Sequence, residues 1–230
     1  MRIQAVLVIV AGLLLIAVLG YRRFRTPPSS PPATSDGATL VDPKTLLFSL
    51  PTICDQLPPQ GSSVTSLPAG AYYLHEDDWR QVEFVCVSDR PIIESEIEAL
   101  CVFKEANRVG QFWKSTYVRK GRPNAVLSAH LSLPDVVRIV GTSSTQPLFI
   151  GPTSTSAPVL GGFVVPLSPT VALYGHQQEG VVVSLSIDNR GSAPYPEAPI
   201  NALCRAFRLM VVDWYHSATH EPAPSPGPGA

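Results

Sequence analysis

The stretch VALYGHQQEGVVVSLSIDNRG, residues 171–191, decides the reading of the fold. Two apolar runs, 171–174 and 181–187, flank the polar segment GHQQEG. The second run is rich in β-branched residues, and the segment between the runs is bounded by glycines. That is the composition of two strands joined by a hairpin turn. Asp188-Asn189-Arg190-Gly191 supplies the turn residues that end the second strand.

Working outward, short runs of the same kind recur. Residues 147–150 and 159–165 read as strands, with Gly161-Gly162 marking a bend in the latter. In residues 126–133, Leu127, Ala129, Leu131 and Leu133 alternate with Ser128, His130 and Ser132, which predicts a further strand, and 136–140 predicts another. Residues 81–87 alternate too, with Val82, Phe84 and Cys86 on one face and Gln81, Glu83, Val85 and Val87 on the other. Strands this short and this closely spaced predict a mainly β fold with flanking helices, an α+β domain built as an antiparallel sandwich or barrel.

Helical periodicity appears three times. Residues 89–110 (DRPIIESEIEALCVFKEANRVG) carry Glu94, Glu96 and Glu98 in their first half and Lys104 and Arg108 in their second, as the helix macrodipole prefers. Ser88 or Asp89 is the expected cap. Ile93, Ile97, Leu100, Cys101 and Val109 form the expected buried stripe, and Gly110 the stop. Residues 201–215 place Leu203, Phe207, Met210 or Val211, and Trp214 at helical spacing, with a final strand as the alternative because Val211 and Val212 are β-branched. Asp42-Pro43 is a helix-start signal, after which Leu46, Leu47 and Leu50 would face inward. No internal repeat is evident.

The N-terminus has a different character. Residues 3–20 (IQAVLVIVAGLLLIAVLG) contain no charge, and eighteen residues of helix span about 27 Å, enough for a hydrocarbon core. Tyr21, Arg22, Arg23 and Arg25 follow as membrane-flanking residues. A cleaved signal peptide is the competing reading, but Val18-Leu19-Gly20 is a poor cleavage site and arginines follow it directly. The organisation expected is an anchor with a basic flank (1–25), a Pro/Ser/Thr-rich linker (26–39), one β-rich domain (40–220) and a disordered Pro-rich tail (221–230). The arginines behind the apolar run favour a cytoplasmic C-terminal side. The short N-tail, the linker and the even cysteine count favour an extracytoplasmic domain, which is the reading adopted.

Composition excludes some functions. The formal net charge is −1, and setting aside Arg2, Arg22, Arg23 and Arg25 leaves 13 basic residues against 18 acidic ones. Such a domain has no phosphate-neutralising surface, so nucleic acid is not its partner. Cys54, Cys86, Cys101 and Cys204 contain no CxxC spacing, and no cofactor motif is present.

The candidate sites are few. His75 and Asp77, in the polar run HEDD, are possible ligands for a divalent ion, although neighbours on a strand point to opposite faces and a solvated turn explains the run as well. His216 and His220, with Asp213 three residues before His216, have metal-ligand spacing on a helix. Ser217-Ala218-Thr219 stands where a zinc protease helix would carry its glutamate. There is no GxSxG elbow, and His130 and His176 read as surface residues. The four cysteines form either two disulfides, with Cys86–Cys101 the preferred pair, or four buried thiols. In QFWKSTYVRKGR, Trp113, Tyr117 and Arg119 are the candidate partner-binding residues. The function expected is a membrane-tethered, non-catalytic interaction or assembly domain, held in lipid by residues 3–20 and presented to a protein partner outside the cytoplasm. A membrane-anchored metal-dependent hydrolase and a ligand-binding β-sandwich are the alternatives.

Overall fold

The computed structural model describes residues 45–122, 125–152, 155–191 and 194–222, which belong to one compact unit. The anchor, its arginine flank, the linker and Asp42-Pro43 lie outside the described residues. Among the described residues, no helix is long and apolar enough to cross a membrane.

The 171–191 stretch folds as a hairpin of two long strands, β10 (Val171–Gln178) and β11 (Val181–Asn189). Its turn is tighter than the sequence suggested. Glu179 and Gly180 alone form the loop, with φ of 51° and 82°. Two successive positive φ values match the twist of the flanking strands, and glycine adopts the second without cost. A bulge between His176 and Gln177 shifts the register, so Gly175 pairs with Leu185 and Gln177 with Val182.

Around this hairpin grows a six-stranded antiparallel sheet. Its other members are β3 (Val82–Cys86), β9 (Gly162–Pro166), β12 (Leu209–Asp213) and β13 (Ala218–His220), in the spatial order β13-β12-β3-β11-β10-β9. The sheet keeps two edges, β13 and β9, and so does not close into a barrel. Three smaller sheets join β2 (Tyr72–His75) to β7 (Leu148–Gly151) and β8 (Ala157–Pro158), β1 (Thr52–Cys54) to β6 (Tyr117–Arg119), and β4 (Arg108–Val109) to β5 (Phe112–Trp113). The helices are α1 (Arg90–Asn107), α2 (Leu133–Val140) and α3 (Glu197–Phe207).

Both faces of the main sheet are covered, which is why its central strands read as nearly unbroken apolar runs. On one face Phe84, Val165, Leu173, Leu185 and Val211 pack with Val136 of α2 and Leu203 of α3. The other face is shared. Toward β12, Val85, Met210 and Val212 meet Ile93 and Leu100 of α1. Toward β9, Val164, Ala172 and Tyr174 meet Leu74, Leu148 and Ile150 of the β2-β7-β8 sheet. Between these two apolar clusters the sheet carries Glu83, Ser184 and Ser186, all buried.

Several expectations are corrected. Residues 126–133 are not a strand: Leu127–Ala129 form a 3₁₀ turn and His130 is left-handed, with φ of 51°. Residues 136–140 belong to α2. Ser132 caps that helix by accepting a bond from Asp135 N at 3.3 Å, Pro134 sits in its first turn, and Gly141 ends it with φ of 73°. The 201–215 helix stops at Phe207. Arg208 turns left-handed, and the β-branched residues continue as β12, as the alternative reading had it. Leu46 and Leu47 are exposed rather than inward-facing. Cys101 faces solvent, because α1 turns its Ile93 and Leu100 side to the sheet. All four cysteines are free thiols, so the expected Cys86–Cys101 bridge is absent. The Cys86 thiol lies 3.0 Å from Ser128 Oγ instead.

Gly175 has a packing role. A Cβ there would overlap the carbonyl oxygen of Ser184 across the hairpin. Gly175→Ala is therefore expected to push β10 and β11 apart next to the bulge and cost about 1–3 kcal/mol, the range for overpacked cores. Urea unfolding followed by tryptophan emission measures it, and an unchanged midpoint would refute the close approach.

Candidate functional site

Two polar constellations stand out, one open and one buried. The open one is a cleft of about 580 Å³ at the β13 edge of the main sheet, walled by α3 and floored by the β12–β13 hairpin. Ile200 and Cys204 of α3 and Val211 of β12 make its apolar base. Asp213, His216, His220, Glu197 and Glu221 supply its charged and titratable groups. The hairpin register explains the grouping: Val211 pairs with His220 and Asp213 with Ala218, so these four side chains share one face.

Asp213 fixes His216 twice. Its carboxylate accepts from the His216 backbone N–H at 2.9 Å and lies 2.8 Å from the ring Nδ1. With Nδ1–H donated to the carboxylate, Nε2 is the nitrogen left to face the cleft mouth. Cys204 is no nucleophile here, because burial pushes its thiol up to about 12. Glu221, at the start of the Pro-rich tail, is ion-paired with Arg90 on the first turn of α1. Residues 223–230 lie outside the described residues.

The buried constellation occupies the seam between the two apolar clusters. Glu83 of β3 accepts from Arg80 Nε at 2.6 Å and from Trp214 Nε1 at 2.7 Å. Arg119 of β6 lies with NH1 3.7 Å from the same carboxylate and its guanidinium 4.7 Å from the Trp214 ring centroid. Arg119 also donates to Thr52 Oγ1 at 3.0 Å and to the Arg80 carbonyl at 3.1 Å. Arg80 donates from its backbone N–H to Tyr174 Oη at 2.7 Å and from NH1 to the Arg122 carbonyl at 2.6 Å. These bonds hold Arg80 in a left-handed conformation, φ 59°, that a side chain of its size rarely adopts. Burial is the largest single influence and weighs against the Arg80 charge, but the neighbouring groups together, the Glu83 carboxylate foremost, outweigh it and raise the guanidinium above its ordinary value. Burial dominates at Arg119 and lowers it. Two cations thus share one carboxylate inside the protein.

Beside this cluster, His176 Nδ1 lies 2.7 Å from Ser184 Oγ, both buried, at the wall of a small cavity of about 90 Å³ that Trp79 and Arg80 also line. His176 is not the surface turn residue that the sequence predicts, because the tighter hairpin turn carries it into β10. Burial, with Arg80 adding to it, lowers the imidazole's affinity for a proton. The unfolded chain, with an ordinary histidine near 6.5, therefore takes up the proton first as pH falls. The stability due to neutral His176 is complete above that value and is lost as pH drops toward the lower folded value. His176→Gln is expected to flatten the acid limb of a stability–pH curve below about pH 6.5. Parallel curves for the two proteins would sink this assignment.

The residues singled out from sequence are distributed as follows. His216, His220 and Asp213 do meet, in the open cleft, but on a hairpin and its turn rather than on a helix. His75 caps the 3₁₀ turn Glu76–Asp78, its Nδ1 accepting from Asp77 N at 3.2 Å and lying 3.5 Å from the Asp77 carboxylate. Among the described residues, no group of three or more His, Cys, Asp or Glu side chains is arranged to hold a metal ion. Of the basic–aromatic segment, Trp113 and Arg119 are buried and Tyr117 packs edge-on against Phe103, with centroids 5.4 Å apart. Arg119 therefore offers no surface to a partner. It is the charged core of the domain, drawn inward by Glu83. The sequence reading missed Arg80, Glu83 and Trp214; the signal was one glutamate inside the apolar run VEFVC.

Fold and cleft together define a layered, mostly β domain with a binding-sized groove at one sheet edge. Compared with family models, curated proteins and solved structures, the chain matches none.

Proposed function

We propose that this protein is a membrane-tethered, non-catalytic interaction domain, anchored through residues 3–20, presented outside the cytoplasm, and binding a segment of a partner protein in the α3/β12–β13 cleft. The observation that carries this reading is the cleft itself. Its volume of about 580 Å³, apolar base and polar rim suit the seating of side chains from another chain. The rim holds three carboxylates, Glu197, Asp213 and Glu221, the last two already paired with His216 and Arg90. A segment with an apolar side chain next to a lysine or arginine complements it. The neighbouring edge strand β13 offers a backbone for strand addition. Anchoring adds to affinity by confining the domain near membrane partners.

Photo-cross-linking in cells tests the cleft. Benzoylphenylalanine at position 194, an exposed position lining the cleft, should yield a discrete adduct. The same residue at 160, an exposed position by the opposite sheet edge, should not. Identical products from both positions, or none from 194, would overturn the reading. Sidedness is read separately. The exposed Cys101 thiol should react with a membrane-impermeant maleimide on intact cells, and labelling that needs lysis first would place the domain in the cytoplasm.

A further inference from the structure

The described chain begins at an apolar surface. Leu46, Leu47 and Phe48 are each about half exposed. Phe48 bridges to Trp113, with Phe48 N–H donating to the Trp113 carbonyl at 2.8 Å and Trp113 N–H returning a bond at 3.0 Å. That bridge sets the segment against the β4–β5 hairpin, whose paired residues Val109 and Phe112 are also exposed. Tyr215, again exposed, packs edge-on against Trp113, with centroids 6.1 Å apart. Arg108 and Lys114, both exposed, flank the hairpin, with Glu105 the nearest acid before it in sequence. Aliphatic and aromatic side chains bordered by cations are the composition of a surface seated at the headgroup level of a bilayer, where rings lie in the interface and basic residues reach anionic phosphates.

Position in the chain selects the occupant. Leu46 follows Gly20 by 26 residues, so the tether joins the domain at this patch. A tether of this length keeps the bilayer within reach of the point at which it joins the domain. We infer that the surface formed by Leu46, Leu47, Phe48, Val109, Phe112 and Tyr215 docks onto the lipid surface, which fixes the domain's orientation. This rests on the anchoring proposed above. The Pro-rich linker then sets the largest distance from the bilayer and not the resting one.

The test uses the full chain in phosphatidylcholine/phosphatidylglycerol vesicles, with and without brominated acyl chains. Phe112→Trp puts an indole on the patch. Ile92→Trp puts one on an exposed site near the start of α1, a helix about 27 Å long that leads into the hairpin. Emission from the added indole at 112 should fall several-fold with brominated chains and that at 92 should not. Adding Leu47→Asp and Val109→Asp, both at exposed positions, should abolish the quenching at 112. Equal quenching at both positions, or none at 112 in protein that stays with the vesicles through an alkaline wash, overturns the docking alone. Release by the alkaline wash overturns the anchoring itself. A blue-shifted indole at 112 that brominated chains do not quench, and that depends on protein density, assigns the patch to a second copy and likewise overturns the inference.

Discussion

Glu83→Gln should lower the unfolding free energy by about 3–5 kcal/mol, the cost of removing one partner from a buried ion pair. A domain of this size is stable by about 5–15 kcal/mol, so this single change consumes a large share of the total. Glu83 is the carboxylate that Arg80 and Arg119 share, and it also accepts the Trp214 indole N–H. The glutamine keeps the shape and loses the charge, leaving two guanidiniums facing each other out of water. Arg119→Met is expected to cost less, although it removes a longer charged side chain. It subtracts one of the two cations, leaves Arg80 and Glu83 as a one-to-one pair, and puts an apolar group of similar length where burial already disfavours the charge. The order of the two unfolding midpoints in urea is the readout. If Arg119→Met unfolds at lower urea than Glu83→Gln, the cluster is held by packing around Arg119 and not by the shared carboxylate.

The same cluster shows what sequence patterns could and could not reveal. Strand periodicity exposed β3, β7, β9, β11 and the first half of β10, because each is a β-branched or aromatic run bounded by turn residues. Alternation in 126–133 misled: the buried residues are Val126 and Leu131, while Leu127 is exposed and Leu127–Ala129 close into a 3₁₀ turn instead of extending. The contrary signal was present in Ser132-x-x-Asp135 with Pro134 and Gly141, the start and stop of a short helix. Arg119 could not be placed by any local rule. Its burial depends on a parallel pairing of Thr52 with Tyr117, residues 65 positions apart, and on Glu83 from a third strand. His216 and His220 were found by a helical spacing that the structure does not use. They share the cleft because the β12–β13 turn, which carries His216, brings His220 back opposite Val211. Their convergence came from topology, to which the spacing was incidental.

Ala218→Trp should weaken partner binding at least about a hundredfold, near 2.7 kcal/mol, while leaving the unfolding midpoint almost unchanged. Ala218 lines the cleft from the outermost strand, opposite Asp213, and is only half-buried. An indole there fills the open space between the hairpin and α3, covering the apolar base without displacing a buried side chain. Contrast His216→Ala. That side chain is largely exposed, at 70 %, and spends its Nδ1 on Asp213, so its loss should cost a partner far less. A cleft that works by shape and apolar burial predicts this ranking, with Ala218→Trp well ahead of His216→Ala. Titrating the partner captured from position 194 against both variants decides between them. The opposite ranking would mean that the Asp213–His216 pair, and not the groove around it, is the working part of the site, and the non-catalytic reading would fall with it.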